Sequence, residues 1–118
     1  MKLPLKNHAV IPREKIVDYL LSFSHHTGRW KAMFFTEFGF TVDLWDDFAI
    51  ALFQHANNND VIRIKETVYG TKYIIEGIIE TPDGRNPLIR AIWFVKENNT
   101  YPVFITAYPF NGGKNGRI

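Results

Sequence analysis

A chain of 118 residues that is 46% hydrophobic and 22% charged has the size and balance of one globular domain, long enough to bury about two thirds of its unfolded surface. It has no cysteine, which excludes a disulfide framework and a thiolate metal site and suits a reducing compartment. The formal charge of +2 is too small to require a nucleic-acid partner, although a sequence pI near 8.9 permits one.

The first residues, Met1-Lys2-Leu3-Pro4-Leu5-Lys6, set a proline and two lysines where a signal peptide carries its apolar run. No later segment approaches the roughly 18 apolar residues of a membrane span, so the expected protein is cytoplasmic, with no membrane partner. After an extended lead-in offering Leu3, Leu5 and Val10 to the core, Pro12 stands where a missing N–H costs nothing, and Glu14 suits the positive end of a helix dipole. Ile16, Leu20 and Phe23, broadened by Val17 and Leu21, predict a first helix over about Pro12 to Phe23.

The loop His25-His26-Thr27-Gly28 interrupts the pattern, and Trp30, Phe34 and Phe38 resume it as core positions of a second helix stopped by Gly39. Arg29 and Lys31 fall in its first turn, where positive charge opposes the dipole; a bound phosphate or a carboxylate from elsewhere in the fold would compensate. A third helix, capped by Thr41 or Asp43 and carrying Asp46 and Asp47 in its first turn, presents Leu44, Phe48 and Leu52 before the turn residues Asn57-Asn58-Asn59-Asp60.

From there the period becomes two. Strands are predicted at Val61 to Glu66, Lys72 to Thr81, Leu88 to Lys96 and Tyr101 to Tyr108, with turns at Tyr69-Gly70, Pro82-Asp83-Gly84-Arg85 and Glu97-Asn98-Asn99. Short connections make them an antiparallel meander, and helices followed by strands make the fold α+β: three N-terminal helices packed on a four-stranded antiparallel β-meander. Residues 1–110 form a single domain in this reading, and the glycine-containing tail from Asn111 to Ile118 is loose.

Symmetric turns set Ile79, Gly77, Ile75 and Tyr73 opposite Leu88, Arg90, Ile92 and Phe94, continuing to Val103, Ile105 and Ala107, as the helix-covered face. The opposite face then carries Lys72, Ile74, Glu76 and Ile78, then Ile89, Ala91 and Trp93, then Phe104, Thr106 and Tyr108. Amine, carboxylate, hydroxyl, phenol and aromatic surface together make it the ligand-facing side. A slip of one residue would exchange the faces.

Leu3-Pro4, Tyr19-Leu20-Leu21, His25, Gly28-Arg29-Trp30-Lys31-Ala32, Tyr69-Gly70-Thr71-Lys72-Tyr73, Gly84-Arg85, Trp93 and Phe104-Ile105-Thr106-Ala107-Tyr108-Pro109 resemble, over nearly the whole chain to Pro109, an uncharacterised family of small bacterial domains. The element order is also similar to the barnase/EndoU/colicin/RelE-like group of ribonuclease toxins. That resemblance implies metal-independent RNA cleavage by attack of the ribose 2′-hydroxyl on its own phosphate, and a cognate antitoxin or immunity protein as partner.

Such chemistry needs a base, an acid and cations to hold the charge that builds on phosphorus. His25 is the first choice for a proton-transfer role because imidazole titrates near neutral pH. Lys31 and Arg29 hold phosphate, Lys72 reaches from the sheet, Thr106 and Tyr108 position the nucleotide, Trp93 stacks on a base, and Glu76 is a possible partner base. Each has a plainer reading: His25 and His26 as loop residues, Arg29 and Lys31 as solvated or paired charges, Lys72 with Glu76 as a surface pair, Trp93 and Tyr108 as a subunit interface. His8 and His55 read as structural. Four scattered histidines at no standard ligand spacing disfavour a metal, and no motif calls for a cofactor. The alternative function is a non-catalytic protein-binding domain on the same scaffold.

Overall fold

A computed structural model describes residues 1–110; the expected loose tail, 111–118, lies outside the described residues. The order is helices then strands: α1 (Arg13–Lys15), running directly into a wider π-type segment (Ile16–Leu20), α2 (Arg29–Glu37), α3 (Trp45–Asn58), then β1 (Val61–Thr67), β2 (Gly70–Ile78), β3 (Leu88–Lys96) and β4 (Val103–Pro109). The strands form one antiparallel sheet in the order β1-β2-β3-β4. The expected α+β architecture is the observed one. Among the described residues no helix is long and apolar enough to cross a membrane.

The first helix ends earlier than its apolar spacing predicts. Leu21 N–H donates to the Ile16 carbonyl at 2.8 Å, a bond that spans five residues and underwinds the turn, widening it. The widening directs Leu20 and Leu21 both inward and leaves Phe23 exposed in the following loop. The second helix also turns a different face to the core. Ala32 and Phe35 are buried, whereas Trp30, expected inside, is 66% exposed with the Arg29 guanidinium over its ring at 5.5 Å. Helix α2 closes as predicted at Gly39, whose φ of 108° suits glycine; Gly39 N–H donates to the Thr36 carbonyl and Phe40 N–H to the Phe35 carbonyl, the paired bonds of a Schellman end. Ahead of α3, Thr41 Oγ1 accepts from Leu44 N–H at 3.3 Å, but no side chain caps the helix itself.

The core lies between the helices and one sheet face. Ile16, Leu20, Phe35, Phe40, Phe48 and Leu52 pack toward Ile75, Ile89, Ala91, Trp93, Phe104 and Ala107, with Phe40 stacked on Phe48 at 4.3 Å. The sheet register corrects the predicted faces. Gly77 opposes Ile89, Ile75 opposes Ala91 and Tyr73 opposes Trp93, one residue away from the pairing that a symmetric Asp83-Gly84 turn requires. The reason lies in the loop of residues 79–87. Thr81 and Asn86 hydrogen-bond each other through backbone and side chain, Asn86 takes a φ of 51°, and the turn thereby holds an odd number of residues. One residue exchanges every β3 side chain between faces, so Ile89, Ala91 and Trp93 are inside and Leu88, Arg90, Ile92 and Phe94 outside.

Near its own turn, β4 keeps the predicted register, with Phe94 opposite Val103. A bulge then leaves Ile105 unpaired, so that Ile92 meets Thr106 and Arg90 meets Tyr108. Phe104 and Ala107 therefore both face the core, while Thr106 and Tyr108 face outward as expected. Val10 covers the outer edge of β4 up to the bulge, donating to the Pro102 carbonyl and accepting from Phe104 N–H, both at 2.9 Å. Beyond that bridge the edge of β4 meets the side chains of Tyr19 and Lys31.

Candidate functional site

The loop from Ser24 to Gly28 brings His25 to the start of α2. Its Nδ1 accepts from the backbone N–H groups of Thr27 (3.1 Å) and Gly28 (3.0 Å), which holds the tautomer with the ring proton on Nε2. His25 thus satisfies part of the exposed helix terminus that the sequence left without an acidic residue. Gly28 is buried, and an added Cβ would lie 2.4 Å from the Tyr19 carbonyl oxygen and 2.9 Å from its ring. Only glycine lets α2 press this closely on the π-type segment.

That contact brings Lys31 to Tyr19. Lys31 Nζ donates to the Tyr19 hydroxyl at 2.5 Å, and the same hydroxyl shares a hydrogen bond with Thr106 Oγ1 at 3.2 Å. The His25 ring meets the Tyr19 ring edge-on at 4.8 Å, Lys15 Nζ lies 5.8 Å from that ring's centre, and Lys31 Nζ is 6.0 Å from the Tyr108 ring. Burial works to raise the Tyr19 phenol. The hydrogen bonds from Lys31 and Thr106 and the charges of Lys31 and Lys15 outweigh it and hold Tyr19 below the ordinary phenol value.

Two hollows flank this cluster. One, of about 420 Å³, is lined by Tyr19, His25, Ile105 and Lys15, with Glu14 and Asp18. The other, of about 280 Å³, lies on the open sheet face between Arg63, Ile74, Glu76, Arg90 and Tyr108. There Arg90 Nε donates to Glu76 Oε2 at 2.6 Å, and its guanidinium lies 5.7 Å from the Tyr108 ring. The Tyr108 hydroxyl, and after it Glu76, hold Arg90 in its charged form above its ordinary value, against the opposing effect of partial burial. A third hollow, about 320 Å³ between α3 and the 79–87 loop, is lined by Asp47 and Glu80 without a cation and is unsuited to an anion.

The structure brings His25, Lys31, Thr106 and Tyr108 together around Tyr19. Lys72 shares the outer face but stands opposite Lys65 and Phe94, away from that cluster. Glu76 pairs with Arg90, directly across the strands, and not with Lys72. Arg29 lies on Trp30. Trp93 is on the wrong face for base stacking: it is fully buried, edge-on to Phe104 at 5.4 Å, and its indole nitrogen has no partner among the described residues. Nor is it available to a partner subunit, whereas half-buried Tyr108 is accessible from the outer face. Among the described residues no three His, Asp or Glu side chains gather as metal ligands do.

Neither Tyr19 nor Arg90 is among the site residues predicted from the sequence, although Tyr19-Leu20-Leu21 is part of the family resemblance. Tyr19 sits in a helical apolar stripe, where a phenol reads as packing. Arg90 carried a usable signal, since an arginine assigned to a core face indicates a wrong register.

Fold and site together define an α+β domain with helices on one face of an antiparallel meander and a cation-bearing face left open. The chain belongs to the family described as Domain of unknown function (DUF6883), whose model matches residues 2–111. A chain from a contact-dependent growth inhibition toxin–immunity protein complex of Klebsiella pneumoniae 342 shares the fold, with a TM-score of 0.71 and 22% identity over 91% of this chain and 97% of that one. No curated protein matches the sequence.

Proposed function

We propose that this chain is a toxin-type domain that cleaves cytoplasmic RNA without a metal, by attack of a ribose 2′-hydroxyl on the adjacent phosphate. The observation that carries the reading is the convergence of Lys31, Thr106 and His25 on Tyr19 at the bulged edge of β4, beside an open face bearing Arg63, Lys65, Lys72 and Arg90. Lys65 and Lys72 stand directly opposite each other, an unfavourable like-charge pair that a polyanion relieves. Among the described residues neither lysine, nor Arg63 or Lys31, has a carboxylate within salt-bridge distance. These cations bind the RNA backbone, Tyr108 offers a ring to a base, and the cluster at Tyr19 supplies the groups for proton transfer.

The structural likeness to a chain from a toxin–immunity complex supports the toxin reading, and the open basic face suits the toxin side of such a pair. An acidic immunity-type protein is the matching partner. Purified protein incubated with total RNA in EDTA, alongside His25→Ala and Lys31→Ala, tests the reading. Cleavage that leaves cyclic-phosphate ends in the wild type and drops in both variants is expected. An inert wild type would leave the non-catalytic binding domain as the surviving function.

A further inference from the structure

We infer that Tyr19 and Lys31 are the acid–base pair of the cleavage step, with Tyr19 as the phenolate base and Lys31 as the ammonium acid; this rests on the RNA-cleavage reading above. A tyrosine that only packs needs one partner for its hydroxyl. Tyr19 has two, from different elements, and ammonium groups lie over its ring at 4.9 Å (Lys31) and 5.8 Å (Lys15). Its position is fixed from four directions: Gly28 against its backbone, His25 against its ring edge, Lys31 and Thr106 on its oxygen. This is a preorganised oxygen beside a cation, and Tyr19 lines a hollow of about 420 Å³ with His25 and Lys15 and with the carboxylates of Glu14 and Asp18.

The starting pair is Tyr19–O⁻ with Lys31–NH₃⁺. The phenolate takes the ribose 2′ proton as the 2′ oxygen bonds to phosphorus. The bond from phosphorus to the 5′ oxygen breaks, and that oxygen takes a proton from Lys31. Products are a 2′,3′-cyclic phosphate and a 5′-hydroxyl, with Tyr19–OH beside Lys31–NH₂. One proton passing from Tyr19 to Lys31 along their hydrogen bond restores the starting pair. His25, its Nδ1 committed to the backbone, presents Nε2–H as a donor to a non-bridging phosphate oxygen.

The test compares an ordinary RNA substrate with one whose scissile 5′ oxygen is replaced by sulfur, because a thiolate leaves without a proton. Tyr19→Phe keeps the ring packing, and Lys31→Arg keeps a positive charge beside Tyr19 but does not give up a proton; each is expected to lower kcat on ordinary RNA by about 100- to 10,000-fold. The sulfur substrate is expected to restore Lys31→Arg to within about tenfold of wild type and to leave Tyr19→Phe slow, a division that loss of a structural contact does not produce. On wild type, where no variant has to fold, the sulfur substrate removes the alkaline limb of the pH–rate profile and keeps the acid limb. Tyr19→Phe at the wild-type rate, rescue of both variants or of neither, or an unchanged wild-type profile overturns the pair while RNA cleavage stands. A wild type inert on RNA overturns both.

Discussion

Acidification should destabilise this domain through His55. The imidazole is only 2% exposed on α3, with Nε2–H donating to the Gly77 carbonyl at 3.2 Å and Nδ1 without a hydrogen-bond partner among the described residues. Burial lowers its pKa below the ordinary histidine value, and the backbone carbonyls of Gly77 and Ile89 offset only part of that. The unfolded chain, with an imidazole near 6.5, therefore binds the proton more readily than the folded one. The stabilisation is fully present above about pH 6.5 and is lost as pH falls from there toward the folded-state value. One proton limits the slope to about 1.4 kcal/mol per pH unit, so by pH 5.5 this residue alone lowers the melting temperature by at most roughly 5 °C. Thermal melts followed by circular dichroism from pH 5 to 8, on wild type and His55→Gln, isolate the effect. His8, His25, His26 and the carboxylates are common to both and cancel in the difference. Equal pH slopes for the two proteins would refute the argument.

Three further outcomes follow from the packing and the charges. Phe48→Ala removes a ring stacked on Phe40 at 4.3 Å and tilted against Phe35 at 4.8 Å, and urea titration should show a loss of about 3–5 kcal/mol. Gly39→Ala forces a side chain into a φ of 108° with its Cβ 2.9 Å from Pro82 Cβ; a loss above about 1 kcal/mol is expected by the same titration, and Gly84→Ala, with nothing within 4 Å of its Cβ, should lose less. Arg63→Ala should weaken RNA binding and reduce the slope of log affinity against log salt by about 0.7, measured by fluorescence anisotropy with a catalytically inactive variant.

The change of period from 3.6 to two, and the turn residues between segments, made the α+β class and the four strands legible, because both signals are local. Helix ends were legible wherever a single residue type carries the geometry, as Gly39 does. Trp30 and Phe23 were misread for the same reason: apolar spacing marks a stripe, but a π-type turn in the preceding segment and the close docking at Gly28 decide which side of it meets the sheet. His25, Lys31, Thr106 and Tyr108 were legible as chemistry-bearing types. That they meet was not, since Lys31 and Thr106 share Tyr19 only after α2 has packed against the π-type segment and both have met the edge of β4.

What the sequence determined by itself is therefore the inventory: the elements, their order, and an amine, an imidazole and a hydroxyl able to move protons or hold a phosphate. The tertiary structure decided the faces. Asn86 at positive φ and the bulge at Ile105 each shift the register by one residue, which buries Trp93, turns Arg90 outward and aims Thr106 at Tyr19. Alternation along a strand is blind to such a shift, because a period of two fits either face equally well until the helices cover one of them.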